Sequence, residues 1–378
     1  MKIAFISVDD PRDYRSWSGL KLHILNVLKS IGSEVVIMPV VPWYFKALFK
    51  IKRNFYKILG IKYDSERSVI LSKMYSVILE KELKKINAEL IFTCDAYSVS
   101  FLKTNLPIYI WTDATFNSYY SHYFNNQKIH SKTIREGNLL DKRAFKKAKK
   151  IFLTSQWAID DCIKKYKVKK NKVHFLPFGS NIKNNYSQSD LINHINLKAK
   201  TKKCNLISIG VDWDRKGMSF ACDVLKKLNY LNVPSELTII GPKKIPFKYR
   251  NLSNLKVVKF LNKNKKNVNQ KISSLLVKSH FHLLFSKSEA FGVVFAEANS
   301  FGLYNFTFDI GGIGGVVKDN INGFKFKKEI SSTKVAQKIK IIFKNKSRYK
   351  KVSKDSMKYQ NDQYNWKSIS KKLKKNLI

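Results

Sequence analysis

Lys2-Ile3-Ala4-Phe5-Ile6-Ser7-Val8 is an apolar run of strand length, and its succession by a loop, a helix and a second strand decides the fold. A loop containing Gly19 leads into residues 20–30, where Leu22, Leu25 and Leu28 recur at helical spacing, and residues 34–39 read as the next strand. Strand, glycine-bearing loop, helix, strand is the opening unit of a doubly wound parallel sheet. Strand-length runs at 90–93, 108–111, 151–154 and 173–176 extend it. Pro177-Phe178-Gly179 then breaks the pattern, and residues 180–203, polar and rich in Asn and Lys, read as a linker.

The alternation restarts beyond that point. Residues 205–209 form a strand, Gly210 to Gly217 a loop, 218–231 a helix and 236–240 a strand stopped by Gly241-Pro242. Strands at 256–260 and 282–285 flank a helix at 267–279, with a short helix at 294–300, a strand at 304–308 and a helix at 332–344 beyond them. The basic tail keeps Tyr359, Trp366, Ile369, Leu373 and Leu377, which argues for a docked helix. The expected architecture is α/β, with two Rossmann-like doubly wound domains at 1–180 and 203–347. Residues 348–378 form a C-terminal helical segment packing back towards the first domain. A chain of 378 residues suits two such domains. Parallel sheets bind ligands beyond the carboxyl ends of their strands, so two facing sheets would enclose the active site in a cleft.

Composition limits the function classes. A hydrophobic fraction of 44% and an aromatic fraction of 13% describe a globular chain, not a disordered one. No apolar run reaches the roughly 20 residues of a membrane span, and the first eight residues are too short for a signal peptide, so a cytoplasmic location is expected. Cys94, Cys162, Cys204 and Cys222 lack the close pairing of a zinc or disulfide scaffold and read as reduced. The net charge of +45 points to polyanions, yet it is mostly lysine, spread over both halves and accompanied by Asn and Ile, as a bias of codon usage would also produce. A non-enzymatic nucleic-acid-binding or polyanion-binding protein is the alternative reading. No RNA-binding or helix-turn-helix signature accompanies the charge, so no specific nucleic acid is expected. Neither half carries GxGxxG or GxxxxGK[ST], which removes the fingerprints of nicotinamide dehydrogenases and phosphate-loop ATPases.

The informative segment is Ser286-Lys287-Ser288-Glu289-Ala290-Phe291-Gly292-Val293-Val294-Phe295-Ala296-Glu297-Ala298, with two glutamates eight positions apart across a strand-to-helix turn. A helix starting near Gly292 would turn its first NH groups towards a diphosphate, with a carboxylate nearby to accept from vicinal hydroxyls. The alternative is that Glu289 caps the helix and Glu297 is a solvated helix residue.

This segment resembles the signature of the family 4 glycosyltransferases of the GT-B fold, a glutamate, seven residues and a second glutamate around Phe-Gly. The resemblance extends to Ile209-Gly210 followed by Arg215-Lys216-Gly217, to Ile240-Gly241-Pro242, Gly311-Gly312 and Asn322-Gly323. More loosely it takes in the Gly19 loop, Glu136, Ala148-Lys149-Lys150-Ile151, Thr154-Ser155 and Pro177-Phe178-Gly179. It implies a retaining enzyme that moves a sugar from a UDP- or GDP-linked donor to a saccharide or lipid-linked acceptor, with no metal and no further cofactor. By resemblance Glu297 binds ribose hydroxyls, and Glu289 with the backbone of Phe291, Gly292 and Val293 holds the transferred sugar and phosphates. Lys216 and Arg215 neutralise the diphosphate, and Gly241 belongs to the donor loops. Gly19 marks the acceptor or cleft loop. Two positions depart from the pattern: Val211 follows Gly210 where the family usually has arginine, and Gly314-Gly315 stands where a glutamate is common.

In the first domain, Asp113 follows a strand where related enzymes keep a catalytic or sugar-contacting polar group; a cap of the next helix is the competing reading. Residues 43–57 mix aromatic and basic side chains as interfacial helices do, with Phe45, Leu48, Phe49 and Lys52 on neighbouring helical positions. An anionic membrane surface is therefore a candidate partner.

Overall fold

The computed structural model describes residues 1–125 and 127–377, with the side chains of Lys46, Leu48 and Phe49 outside the described set. Two compact units emerge, Met1–Pro177 together with Ile369–Ile378, and Phe178–Ser368.

The first unit runs β1 (Lys2–Ile6), α1 (Leu20–Ser30), β2 (Glu34–Ile37), α2 (Trp43–Ile58), α3 (Val69–Leu83), β3 (Leu90–Thr93) and β4 (Ile108–Thr112). It continues through α4 (Phe116–Tyr123), α5 (Ser131–Lys147), β5 (Lys150–Leu153), α6 (Gln156–Tyr166) and β6 (Val173–Phe175). The six strands are parallel in the order β2-β1-β3-β4-β5-β6. Ile3 to Ile6 and Leu90 to Thr93 are buried throughout, because helices cover both faces of a parallel sheet; that is why these strands read as unbroken apolar runs.

The second unit contains α7 (Gln188–Lys198), β7 (Cys204–Ile209), α8 (Met218–Tyr230), β8 (Ser235–Ile240), α9 (Phe247–Arg250), β9 (Leu255–Val258) and α10 (Val268–Lys278). After these come β10 (Phe281–Leu284), α11 (Val293–Asn299), β11 (Tyr304–Phe308), β12 (Gly323–Phe326), α12 (Ser332–Lys344) and α13 (Lys346–Gln363). Its parallel order is β12-β11-β10-β7-β8-β9.

In each sheet the winding direction reverses beside the first strand, between β1 and β3 in one and between β7 and β10 in the other. The loops leaving such a pair of strands part to opposite faces, and the crevice left at their carboxyl ends is where this class of sheet binds ligands.

Two readings of the sequence need correction. Residues 180–203, read as a polar linker, contain a helix, α7, opened by a capping box in which Ser187 and Asp190 satisfy each other's backbone NH groups. Leu191 is buried in the second core, and Ile195, one helical turn on, is buried as well; the surrounding Asn and Lys mask that short periodicity. The tail forms two helices rather than one. Tyr349 and Met357 of α13 are buried, and α14 (Trp366–Leu377) buries Ile369, Leu373 and Leu377. Within the first unit, Ser370 Oγ lies 3.0 Å from Ser30 Oγ, and Lys150 Nζ donates to Asn376 O at 2.7 Å.

Candidate active site

At the second sheet's reversal point the loop after β7 meets the loop after β10. Lys216 Nζ donates to Glu289 Oε2 at 2.5 Å, and Ser286 Oγ donates to the same oxygen at 3.2 Å. Arg215 Nη1 donates to Ser288 O at 3.1 Å and stands 3.8 Å from Glu289 Oε2. The backbones are laced as well: Lys287 N donates to Arg215 O at 2.7 Å, and Gly312 N to Glu289 O at 3.0 Å. Gly217 makes this approach possible. Its φ is +63°, and a Cβ there would sit 1.9 Å from Phe285 O, so a side chain would force the two loops apart.

Gly292, at φ +82°, is the N-cap of α11, and the side chain of Glu289 passes beside it. Glu297 lies on this seven-residue helix with only 4% of its side chain exposed, which excludes the solvated-helix reading. Lys263, in the loop between β9 and α10, donates to its Oε1 at 2.7 Å. Phe291 is buried, its ring 5.4 Å from that of Phe178 and 6.4 Å from Tyr364, while Val293 opens the helix half-buried. Gly241 lies at the end of β8, where a Cβ would come within 2.5 Å of Gly210 O.

Beneath α11 runs a buried polar network. Asn305 Nδ2 donates to Phe295 O and to Asn322 O, both at 3.3 Å. Its Oδ1 must then accept, so His282 Nδ1, 2.8 Å away, carries the proton. Burial pushes His282 down to about 4, so the ring is neutral at physiological pH. Asn322 Nδ2 donates to Asn299 Oδ1 at 2.9 Å and to Val316 O at 2.8 Å, tying the C-terminal end of α11 to the loop before β12. This network fixes a helix too short to hold its own position.

In the first unit, Gly19 (φ +81°) precedes α1 and follows Trp17 and Ser18, which also have positive φ. Asp113 is half-buried in the loop after β4. The cap of the next helix, the competing reading for Asp113, falls to Thr115, whose Oγ1 accepts from Ser118 N at 3.1 Å while Ser118 Oγ closes the capping box. Glu136 is buried on α5 and accepts from Val69 N at 3.2 Å, a structural tie. At the reversal point between β1 and β3, Lys21 Nζ donates to Asp95 Oδ2 at 2.7 Å and to Ser7 Oγ at 3.1 Å. Burial works against the charge of Lys21, but Asp95 outweighs it and the pKa is raised.

Of the residues singled out in the sequence, the second unit thus joins Lys216, Arg215 and Glu289 directly, with Phe291, Gly292 and Val293 next in the same loop and helix. Nothing local in the sequence marks Lys263 or the Lys21–Asp95 pair. Lys263 sits in a lysine-rich stretch where composition is silent, and Lys21 shares a helix dominated by its leucine spacing. Among the described residues no three His, Cys, Asp or Glu side chains cluster to hold a metal.

Residues 192–359 match the family model of glycosyl transferases group 1. That stretch, most of the second unit, is similar to the group 1 glycosyl transferases. No curated protein matches the sequence. Among solved structures, sucrose-phosphate synthase from Thermosynechococcus elongatus superposes with a TM-score of 0.70 at 15% identity, over 100% of this chain and 98% of that one. WaaG, a glycosyltransferase involved in lipopolysaccharide biosynthesis, gives 0.66 at 17% identity over 99% of both chains. Anabaena HepE in complex with UDP-glucose gives 0.64 at 14% identity, over 100% and 99%. The chain therefore has the GT-B fold expected from its sequence, two Rossmann-like units each built on a six-stranded parallel sheet.

Proposed function

We propose that this chain is a retaining glycosyltransferase of family 4 that moves a sugar from a UDP- or GDP-linked donor to a saccharide or lipid-linked acceptor in cell-surface polysaccharide or glycolipid synthesis. The observation that carries the reading is the pairing of Lys216 with Glu289 beside the start of α11, with Glu297 buried on that helix. Glu297 accepts from ribose hydroxyls. Glu289 and the backbone of Phe291, Gly292 and Val293 hold the sugar and phosphates. An ammonium carries three donors, so Lys216 can keep Glu289 and still meet a phosphate oxygen; with Arg215 it offsets the charge that builds on the departing diphosphate. Asp113 contacts the acceptor or the transferred sugar. No metal or cofactor beyond the nucleotide-sugar enters the scheme.

HepE was crystallised with UDP and with UDP-glucose, which makes uridine nucleotides the first to test. WaaG's role in lipopolysaccharide synthesis favours an envelope acceptor. An anionic membrane surface that presents the acceptor is supported by α2, though not through the face read from the sequence. Phe45 packs against the first core, and Leu48 and Phe49 lie outside the described side chains. The outward stripe is Trp43, Ala47, Ile51, Phe55 and Ile58, with Trp43 78%, Ile51 73%, Phe55 59% and Ile58 85% exposed, flanked by exposed Lys50 and Lys57. Among the described residues no helix is long and apolar enough to cross a membrane. The proton coupling constant of the newly linked anomeric centre tests the reaction: a product of the donor's configuration supports retention, and an inverted product refutes it.

A further inference from the structure

Glu297 has a partner that donor binding alone does not require. Lys263 leaves the loop after β9, the edge strand, whereas Glu297 stands on the helix after β10, and the order β10-β7-β8-β9 separates the two. The 2.7 Å contact therefore spans the carboxyl ends of β7 and β8. Glu297 is 4% exposed and Lys263 22%, so the contact is largely shielded from water and holds the carboxylate in one orientation. Among the described residues Lys263 is its one ion-pair partner, and only Oε1 is engaged. Oε2 accepts from no described residue, so the pair presents a charged acceptor atom whose direction is set by the bond to the other oxygen.

We propose that Lys263 is a positioning residue for ribose recognition. It holds Glu297 turned so that Oε2 accepts from a ribose hydroxyl of a nucleoside diphosphate. The inference rests on the donor reading and adds to it the residue that makes the glutamate selective for ribose over a sugar lacking hydroxyls.

The test is calorimetric binding of UDP and GDP, each against its 2′,3′-dideoxy analogue, to the full chain and to Lys263→Met and Lys263→Arg. The wild type should prefer the ribonucleotide. Lys263→Met should lose about tenfold in affinity for it while the dideoxy analogue changes by less than about twofold, and Lys263→Arg should restore most of the loss. Lys263→Gln serves the same comparison should the Met variant unfold. A Met or Gln variant that keeps the wild-type preference, or that binds the ribonucleotide more tightly because the lysine had blocked it, overturns the inference and leaves the donor reading standing. A wild type that binds neither nucleotide defeats the donor reading and this inference with it.

Discussion

Lys216 and Glu289 belong to loops that leave adjacent parallel strands, β7 and β10, and the 2.5 Å contact between Nζ and Oε2 joins those loops at the point where the winding of the sheet reverses. The first sheet repeats the device with Lys21 and Asp95 at 2.7 Å across β1 and β3. A lysine and a carboxylate held together there are fixed in place, which is the condition for stabilising charge that develops during reaction without reorganising the site.

The two glutamates should separate kinetically. Glu289→Ala is expected to lower kcat by roughly a hundredfold to a thousandfold while nucleoside diphosphate affinity changes little. Glu297→Ala should weaken nucleotide binding by roughly tenfold to a hundredfold, the loss of hydrogen bonds to a charged acceptor. Steady-state kinetics beside nucleotide titration check this, and wild-type behaviour in both variants would refute the roles.

How much of the fold and site is legible in the sequence depends on where each signal resides. Residues 304–308 and 90–93 are readable to the residue as strands because they are buried on both faces and bounded by breaks in polarity. The glutamate pair is readable because its spacing is local. Helix α7 is not, since only Leu191 and Ile195 report it within a polar segment. Lys263 is not either, because its meaning comes from a contact 34 positions along the chain, which no local pattern encodes. On α2 the periodicity is visible, but the side that faces the core depends on the tertiary packing of Phe45.

Lys198 sets a pH dependence. It is buried at the end of α7 with Nζ donating to Ser279 O at 2.6 Å, and among the described residues it has no carboxylate partner. Burial pushes its pKa down from 10.5 to about 7. Between these values the unfolded chain binds the extra proton, so the cost, a few kcal/mol below about pH 7, is relieved as pH rises towards 10.5. Lys198→Met should therefore exceed the wild type in stability at pH 7, with the gap narrowing by pH 10. Urea titrations across that range check it, and a gap independent of pH would contradict it.

Membrane attachment through α2 should need both charge and exposed rings. Each lysine near an anionic surface contributes about 1 kcal/mol, and the field reaches about 8 Å at physiological salt. Co-sedimentation with anionic vesicles should fall as salt rises and should weaken further in Ile51→Ser with Phe55→Ser. Equal recovery with neutral and anionic vesicles would leave the charge of +45 a matter of composition.

The most direct test of the central claim is a thermal-shift panel of UDP, GDP, ADP and CMP with their common sugar conjugates. A uridine or guanosine diphosphate sugar at about a hundred times its Kd should add about 2.7 kcal/mol and raise Tm by a few degrees. Absence of any shift at millimolar concentration with every member would contradict a nucleotide-sugar site built on Lys216, Glu289 and Glu297.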